Sequence, residues 1–159
     1  MWGITRNPWR LDITPGGSSG GSAAALAAGA TTIATGSDSA GSIRQPASQC
    51  GVLGYKPPYG RMPLSPSNSF DPFVQIGPMA RTVSDVVLMS NVMSGPHALD
   101  HTSLPEKLSI PGSLQSIKGM NIAFSTDLGH YKLANDVESE LLASIQSLSS
   151  AGAKSKRCP

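Results

Sequence analysis

The chain contains few of the residues that mark several common classes of protein. Only 5% of its 159 residues are aromatic and 14% are charged, and it has two cysteines, Cys50 and Cys158. Two cysteines cannot build a disulfide scaffold, so the sequence predicts a protein of the reducing cytoplasm. It has no apolar run of the length of a membrane span or a secretory signal, so we expect no membrane association.

Concentrated charge is also scarce. The formal net charge is +2, and the basic residues are scattered apart from the segment 154–157. Nucleic-acid binding is therefore not expected, because it requires a basic patch. The 17 glycines and 13 prolines indicate many turns, whereas 39% hydrophobic residues are too many for a disordered chain. At this length we expect one compact unit.

The most unusual stretch is the glycine- and serine-rich segment Thr14–Ser22, which leads into the alanine-rich run Ala23–Gly29. Such composition is often only a flexible linker. Here it precedes residues of high helix propensity, which predicts a loop that enters a helix. The free N–H groups and the positive dipole end at a helix N-terminus favour anions and developing oxyanions. No lysine follows the glycines, so the segment is not a phosphate-binding P-loop.

Strand and helix patterns alternate along the rest of the chain. The predicted strands are 31–35, 52–56 and 120–125, and the predicted helices are 23–29, 43–51, 82–94 and 135–152, with long loops over 57–78 and 97–119. Thr82 with Asp85, and Asn135 with Glu138, have the spacing of N-terminal capping residues. The inward stripe of the third helix is predicted to comprise Val83, Val86, Val87, Ser90 and Met93. Alternating strands and helices favour an α/β layer fold.

Several ordered blocks carry a family resemblance. The segment Gly16–Ser22 is followed by Gly36–Arg44, in which Ser42 lies 24 positions after Ser18, and then by Lys56–Arg61 and Gly77–Val83. Together these blocks resemble the amidase signature family over roughly residues 5 to 150. The resemblance implies a fragment of an α/β/α sandwich with a mixed central sheet.

The resemblance also implies an active site that hydrolyses a small-molecule amide. Members of the family use a serine nucleophile, a second serine in a cis peptide and a lysine base. By position, Ser42 would be the nucleophile and Ser18 the cis serine that relays the proton. The backbone N–H groups of Ser39, Ala40, Gly41 and Ser42 would form the oxyanion hole. No metal and no organic cofactor is implied.

The sequence differs from the family pattern in two ways. No lysine precedes Ser18, where the family has its base, and Lys56 falls in another block and is interpreted as structural. Ala40 stands where many members have glycine, but it keeps its N–H group. Asp38 and Arg44 match family positions and are expected to hold the nucleophile turn as a charge pair.

The extent of the resemblance leads to a further expectation. Residues 1–159 are predicted to be a partial amidase signature domain, truncated at both ends, in which the basic segment 154–159 replaces an apolar strand. We therefore expect the chain alone to aggregate and to show no appreciable amidase activity. An inactive remnant and a piece of a split enzyme are alternatives, which leave a complementing chain or a homo-oligomer open as partner.

A different catalytic hypothesis comes from residues 17–21, which fit the G-x-S-x-G nucleophile elbow of α/β-hydrolases with Ser19 as nucleophile. It would need a strand directly before the motif and an acid and a histidine after it, for which Asp127 and His130 are available. Proline at position 15 disfavours that strand.

Two further groups have simpler interpretations. His97, Asp100 and His101 could suggest a metal site, but they lie between prolines with no further ligand cluster, so a solvated loop is favoured. Cys50 is interpreted as a small buried apolar residue rather than a reactive thiol.

Overall fold

The computed structural model of the protein describes residues 3–67, 71–113 and 115–158. The predicted loops include 68–70 and 114, and the predicted terminal segments include 1–2 and 159; these positions lie outside the described residues. Contacts divide the chain into two compact units, Met1–Gly112 and Ser113–Pro159, rather than the single unit expected. Both units combine helices and strands, so the predicted α/β class is confirmed.

The first unit contains a three-stranded antiparallel sheet and three helices. Its elements are α1 (Gly20–Ala27), β1 (Ile33–Asp38), α2 (Arg44–Cys50), β2 (Leu53–Gly54), β3 (Gln75–Ala80) and α3 (Val83–Met93). The strand order is β1-β3-β2, and Ile33 pairs with Ala80 at one end of the β1–β3 ladder while Asp38 pairs with Gln75 at the other. The central strand is therefore β3.

The core of the first unit lies where α1 and α2 pack near the sheet. Its buried members are Ala23, Leu26, Ile43, Ala47, Cys50 and Met79. The alanines leave room for α1 and α2 to approach each other closely. Burial raises the pKa of the Cys50 thiol, which disfavours the reactive thiolate and confirms that this cysteine is a buried apolar residue.

The predicted elements of this unit are correct in type but shifted in extent. The strand predicted over 31–35 is Ile33–Asp38, and the one predicted over 52–56 covers only Leu53–Gly54. The loop predicted over 57–78 was wrong at its end, because β3 begins at Gln75. The predicted cap of α3 is confirmed, since Asp85 N donates to Thr82 Oγ1 over 3.2 Å. Within the predicted stripe Ser90 is buried, whereas Val83 is exposed.

The second unit consists of β4 (Asn121–Phe124), α4 (Asn135–Ser150) and β5 (Lys154–Arg157). The two strands pair in parallel, so the expectation that the basic segment takes the place of a strand was wrong. The predicted cap of α4 was also wrong, because its N-cap residue is Ala134 and no side chain caps it. Within the part of the chain that is described, no helix combines the length and apolarity needed to cross a bilayer.

Candidate active site

The candidate site is the turn that joins β1 to α2, residues 38–44, and its centre is the carboxylate of Asp38. This side chain is completely buried. Its oxygens accept hydrogen bonds from Gly41 N at 2.7 Å, Ile43 N at 3.1 Å and Arg44 N at 3.3 Å. Gly41 has φ +122°, a backbone conformation that favours glycine. The main chain of the turn therefore wraps around the carboxylate.

Two cations neutralise this buried charge. Arg44 donates from Nε and Nη2 to the two carboxylate oxygens of Asp38, each over 2.9 Å, and Lys56 Nζ lies 3.4 Å from Oδ1. Burial alone would raise the pKa of the Asp38 carboxyl, but hydrogen bonds from Arg44 and from the backbone of the turn hold that pKa well below its usual range. The predicted role of Asp38 and Arg44 in holding the turn is confirmed by this geometry.

Lys56 has a second contact with the turn that the sequence did not indicate. Its Nζ donates to the carbonyl oxygen of Ser39 over 2.8 Å, while Ser39 Oγ donates to Asp71 Oδ2 over 3.1 Å. Ser39 is thus fixed through both its main chain and its side chain. The interpretation of Lys56 as structural agrees with these bonds. The only signal for them in the sequence was a lysine next to Pro57 at the end of a predicted strand.

The glycine- and serine-rich segment lies against this turn. Ser19 N donates to the carbonyl oxygen of Ser42 over 3.1 Å, and Ser37 N donates to Ser19 Oγ over 3.3 Å. The peptide bond between Gly17 and Ser18 is cis. Ser18 is exposed and Ser42 is half-buried. The structure therefore brings the backbone next to Ser18 into direct contact with Ser42.

The four backbone N–H groups expected to form an oxyanion hole are not equivalent. The N–H of Gly41 is bonded to Asp38, so this residue supports the turn from within rather than offering a free donor. The N–H groups of Ser39, Ala40 and Ser42 make no hydrogen bond to any described residue. The predicted oxyanion hole stays a prediction, for which Ser39, Ala40 and Ser42 have N–H groups without a partner among the described residues.

The nucleophile-elbow hypothesis lacks its strand. Between residue 3 and Ser19 the described backbone forms only one isolated bridge, between Asn7 and Arg10. The hydroxyl of Ser19 is engaged by the backbone of Ser37. An elbow presents its serine on a turn that follows a strand, so the local structure does not support this alternative.

The loop that contains His97, Asp100 and His101 is built around a buried carboxylate. Asp100 is 3% exposed and accepts from Leu64 N at 2.7 Å and from Thr102 Oγ1 at 2.6 Å. Burial would raise its pKa, but these bonds hold the pKa below its usual value. The expectation of a solvated loop was wrong for Asp100, whose carboxylate is occupied in fixing the loop. Among the described residues, three or more His, Cys, Asp or Glu side chains nowhere form a group that could hold a metal ion.

Comparison with known proteins gives consistent matches. The family model described as Amidase matches residues 1–158. A glutamyl-tRNA(Gln) amidotransferase subunit from Bacillus velezensis is 44% identical over 157 residues, which cover 94% of this chain and 31% of that protein. The chain spans about a third of the length of such curated relatives.

Solved structures agree with this match. The crystal structure of the corresponding amidotransferase subunit from Thermotoga maritima has a TM-score of 0.88 and 36% identity, and the match covers 99% of this chain and 35% of that one. A bacterial aryl acylamidase of the amidase signature family has a TM-score of 0.90 and 34% identity, over 98% of this chain and 33% of that one. The match to such structures confirms the fold predicted from the resemblance.

Proposed function

This chain belongs to the amidase family, and on that premise we propose that it carries the nucleophile of an enzyme that hydrolyses the C–N bond of a small carboxylic amide. The nucleophile is Ser42. The observation that carries the proposal is the turn around Asp38, which fixes the backbone on both sides of Ser42 while the N–H group of Ser42 itself makes no bond to a described residue.

In the proposed reaction, Ser42 Oγ forms a bond to the amide carbon while its proton passes to Ser18, whose own hydroxyl proton passes to a base. The electron pair of the C=O bond moves to oxygen, and the N–H groups of Ser39, Ala40 and Ser42 stabilise this charge. Each well-aimed donor of this kind contributes about 3 kcal/mol. The C–N bond then breaks, the amine leaves with a returned proton, and water releases the acid from acyl-Ser42.

The base is not assigned to Lys56. Its ammonium donates to the carbonyl oxygen of Ser39 and is ion-paired with Asp38, and both contacts stabilise the turn. A base must lie within hydrogen-bond reach of the hydroxyl whose proton it removes, and the described contacts of this nitrogen are to Ser39 and Asp38 rather than to Ser18 or Ser42. We therefore give Lys56 a positioning role.

A covalent probe tests the nucleophile without requiring turnover. The chain, extended on both sides with the sequence of a full-length relative so that a lysine base is present, is incubated with a fluorophosphonate, whose phosphorus accepts the serine oxygen and releases fluoride, and the adduct is located by peptide mass spectrometry. We expect the adduct on Ser42, its loss in Ser42→Ala, and an unchanged rate in the control Ser48→Ala, which alters an exposed serine on α2. Slower labelling is expected in Ser18→Ala, because the proton relay is removed.

The outcomes separate the hypotheses. An adduct on Ser19 that survives in Ser42→Ala would instead favour the hydrolase elbow. Wild-type protein that gives no adduct at Ser42 would overturn the assignment and would favour an inactive remnant.

A second candidate function is amide transfer, in which the nitrogen is passed to an acceptor instead of being released into water. It is favoured by the relatives named as subunits of glutamyl-tRNA(Gln) amidotransferase, a name that implies partner chains. The same labelling assay can compare a diazoketone analogue of glutamine with an aryl fluorophosphonate. Preferential alkylation of Ser42 by the diazoketone would support a glutamine donor, whereas preference for the aryl probe would support simple amide hydrolysis.

A further inference from the structure

The first unit contains a cavity that includes none of the residues of the turn 38–44. It has a volume of about 190 Å³ and lies between α3 and the segment 106–110, which we call the strap. Most of its wall is apolar and is formed by Tyr55, Pro58, Met62, Leu108 and Ile110. A dry apolar cavity of about 150 Å³ is large enough to hold benzene. This cavity could therefore hold a ring with one small substituent.

The wall formed by the strap is fixed in position by hydrogen bonds to α3 and its C-terminal end. Asn91 Nδ2 donates to the carbonyl oxygen of Ile110 and Ile110 N donates to Asn91 Oδ1, both over 2.8 Å. Ser94 Oγ donates to the carbonyl oxygen of Leu108 over 3.3 Å. The strap is thus held by α3 and its C-terminal end at Ile110 and Leu108. Both ends of the Asn91 amide are therefore engaged with the main chain of Ile110.

Ser90 is a polar residue of this wall whose hydroxyl makes no described hydrogen bond. It lines the cavity and is only 2% exposed, and its Oγ has no hydrogen-bond partner among the described residues. A serine within a helix usually bonds to the carbonyl one turn back or to solvent. A buried hydroxyl without a partner is rare and requires an explanation, such as a bound molecule. The cavity therefore combines a mostly apolar wall with the unpaired hydroxyl of Ser90; Arg61 also lines it and donates from Nη1 to the carbonyl oxygen of Glu106 over 3.0 Å.

We propose that this cavity is a binding site for a compact, mainly apolar molecule of the size of a monosubstituted benzene, whose single oxygen bonds to Ser90 Oγ. The apolar wall would contribute most of the affinity through burial of the ring. The hydroxyl of Ser90 would select an oxygen-bearing ring over a hydrocarbon, because the hydrocarbon leaves it without a partner. The proposal is independent of the chemistry at Ser42.

Phenol and toluene are suitable probes, since they share the ring and differ in one polar group. Their dissociation constants would be measured by NMR titration. We expect phenol to bind about three- to tenfold more tightly than toluene, the factor that corresponds to one net hydrogen bond. In Ser90→Ala this preference should disappear. In the control Ser84→Ala, which changes an exposed serine on the same helix, it should remain.

A cavity-filling variant provides an independent test. Ser90→Leu should abolish the binding of both probes, because the larger side chain occupies the space, and circular dichroism would establish that the variant is folded. Undetectable binding of phenol to the wild-type protein would overturn the proposal. A phenol affinity that is the same in the wild type, in Ser90→Ala and in folded Ser90→Leu would place binding elsewhere and would equally overturn it.

Discussion

Replacement of Asp38 by asparagine should destabilise the first unit far more than an ordinary surface mutation. The buried carboxylate accepts three backbone N–H groups and both donors of Arg44. Asparagine keeps one acceptor oxygen but presents an NH₂ group to donors that need an acceptor. Several charge-assisted hydrogen bonds would be lost or reversed, and each contributes about 1.5–3 kcal/mol.

The cost is reduced because Arg44 can regain water. Its side chain is 55% exposed, so it would not be left as a buried unpaired charge. We therefore expect Asp38→Asn to lower the free energy of unfolding by about 3 kcal/mol, the lower end of the range for breaking a buried charge pair. With a urea slope of about 2 kcal/mol per M, the unfolding midpoint would fall by about 1.5 M.

A matched control is available in Asp12→Asn. Asp12 also accepts two hydrogen bonds from an arginine, Arg10, at 3.0 and 3.1 Å, but both side chains are about two-thirds exposed. Loss of such a surface pair should cost less than about 1 kcal/mol. Urea titrations followed by circular dichroism would compare the two variants. A midpoint shift for Asp38→Asn no larger than that for Asp12→Asn would refute the reasoning.

The same pair of proteins gives a pH test. The pKa of the Asp38 carboxyl is lowered in the folded state, so its contribution to stability is complete above the unfolded pKa, about 3.9, and is lost as the pH falls towards the folded value. The stability difference between the wild type and Asp38→Asn should be constant from pH 6 to 8 and should shrink below about pH 4. A difference that grew with acidification would contradict the assignment.

Three further substitutions give graded expectations. Thr82→Ala removes the cap that accepts from Asp85 N and should cost about 1 kcal/mol in a urea titration; no loss would contradict the cap. Gly41→Ala forces a side chain into φ +122° and should cost about 1–3 kcal/mol and slow labelling of Ser42. Lys56→Met frees the carbonyl oxygen of Ser39 and should slow the same labelling, whereas a faster reaction would argue against its positioning role.

The parts of the fold that the sequence predicted well are those with local signals. Helix α3 has its cap within its own first turn, and α2 keeps Pro46 near its start, where a missing N–H costs nothing. The turn around Asp38 could be assigned because the matched blocks lie close together along the chain. Each of these features depends on residues a few positions apart.

The central strand β3 was missed for a physical reason. It contains Gly77 and Pro78, which normally argue against a central strand. The carbonyl oxygen of Pro78 accepts from Tyr55 N over 3.0 Å, just beyond the end of β2. The N–H and C=O groups of one strand residue point to the same neighbour, so the N–H that proline lacks would also have faced the chain that follows β2. An added Cβ at Gly77 would overlap the carbonyl oxygen of Tyr55. Residues that break most strands are therefore suited to this one.

The strand β5 carries no apolar pattern that would predict it from sequence. All four of its residues are exposed. What holds it is the backbone: Lys154 N donates to the carbonyl oxygen of Met120 over 2.8 Å and Cys158 N to that of Phe124 over 2.7 Å. Main-chain pairing places no demand on side-chain polarity, so a basic segment can form the strand.

The contact of Lys56 with Ser39 is related to Pro78, the residue that made β3 difficult to predict. The β2–β3 ladder ends at Gly54, but the bond from Tyr55 N to the carbonyl oxygen of Pro78 keeps the next residue against the central strand as well. Lys56 comes next, and its ammonium reaches back 2.8 Å to the carbonyl oxygen of Ser39. A regular ladder at this point would require an N–H that proline does not have. The geometry of the candidate site thus depends on how β2 ends, which residue types along a single sequence do not reveal.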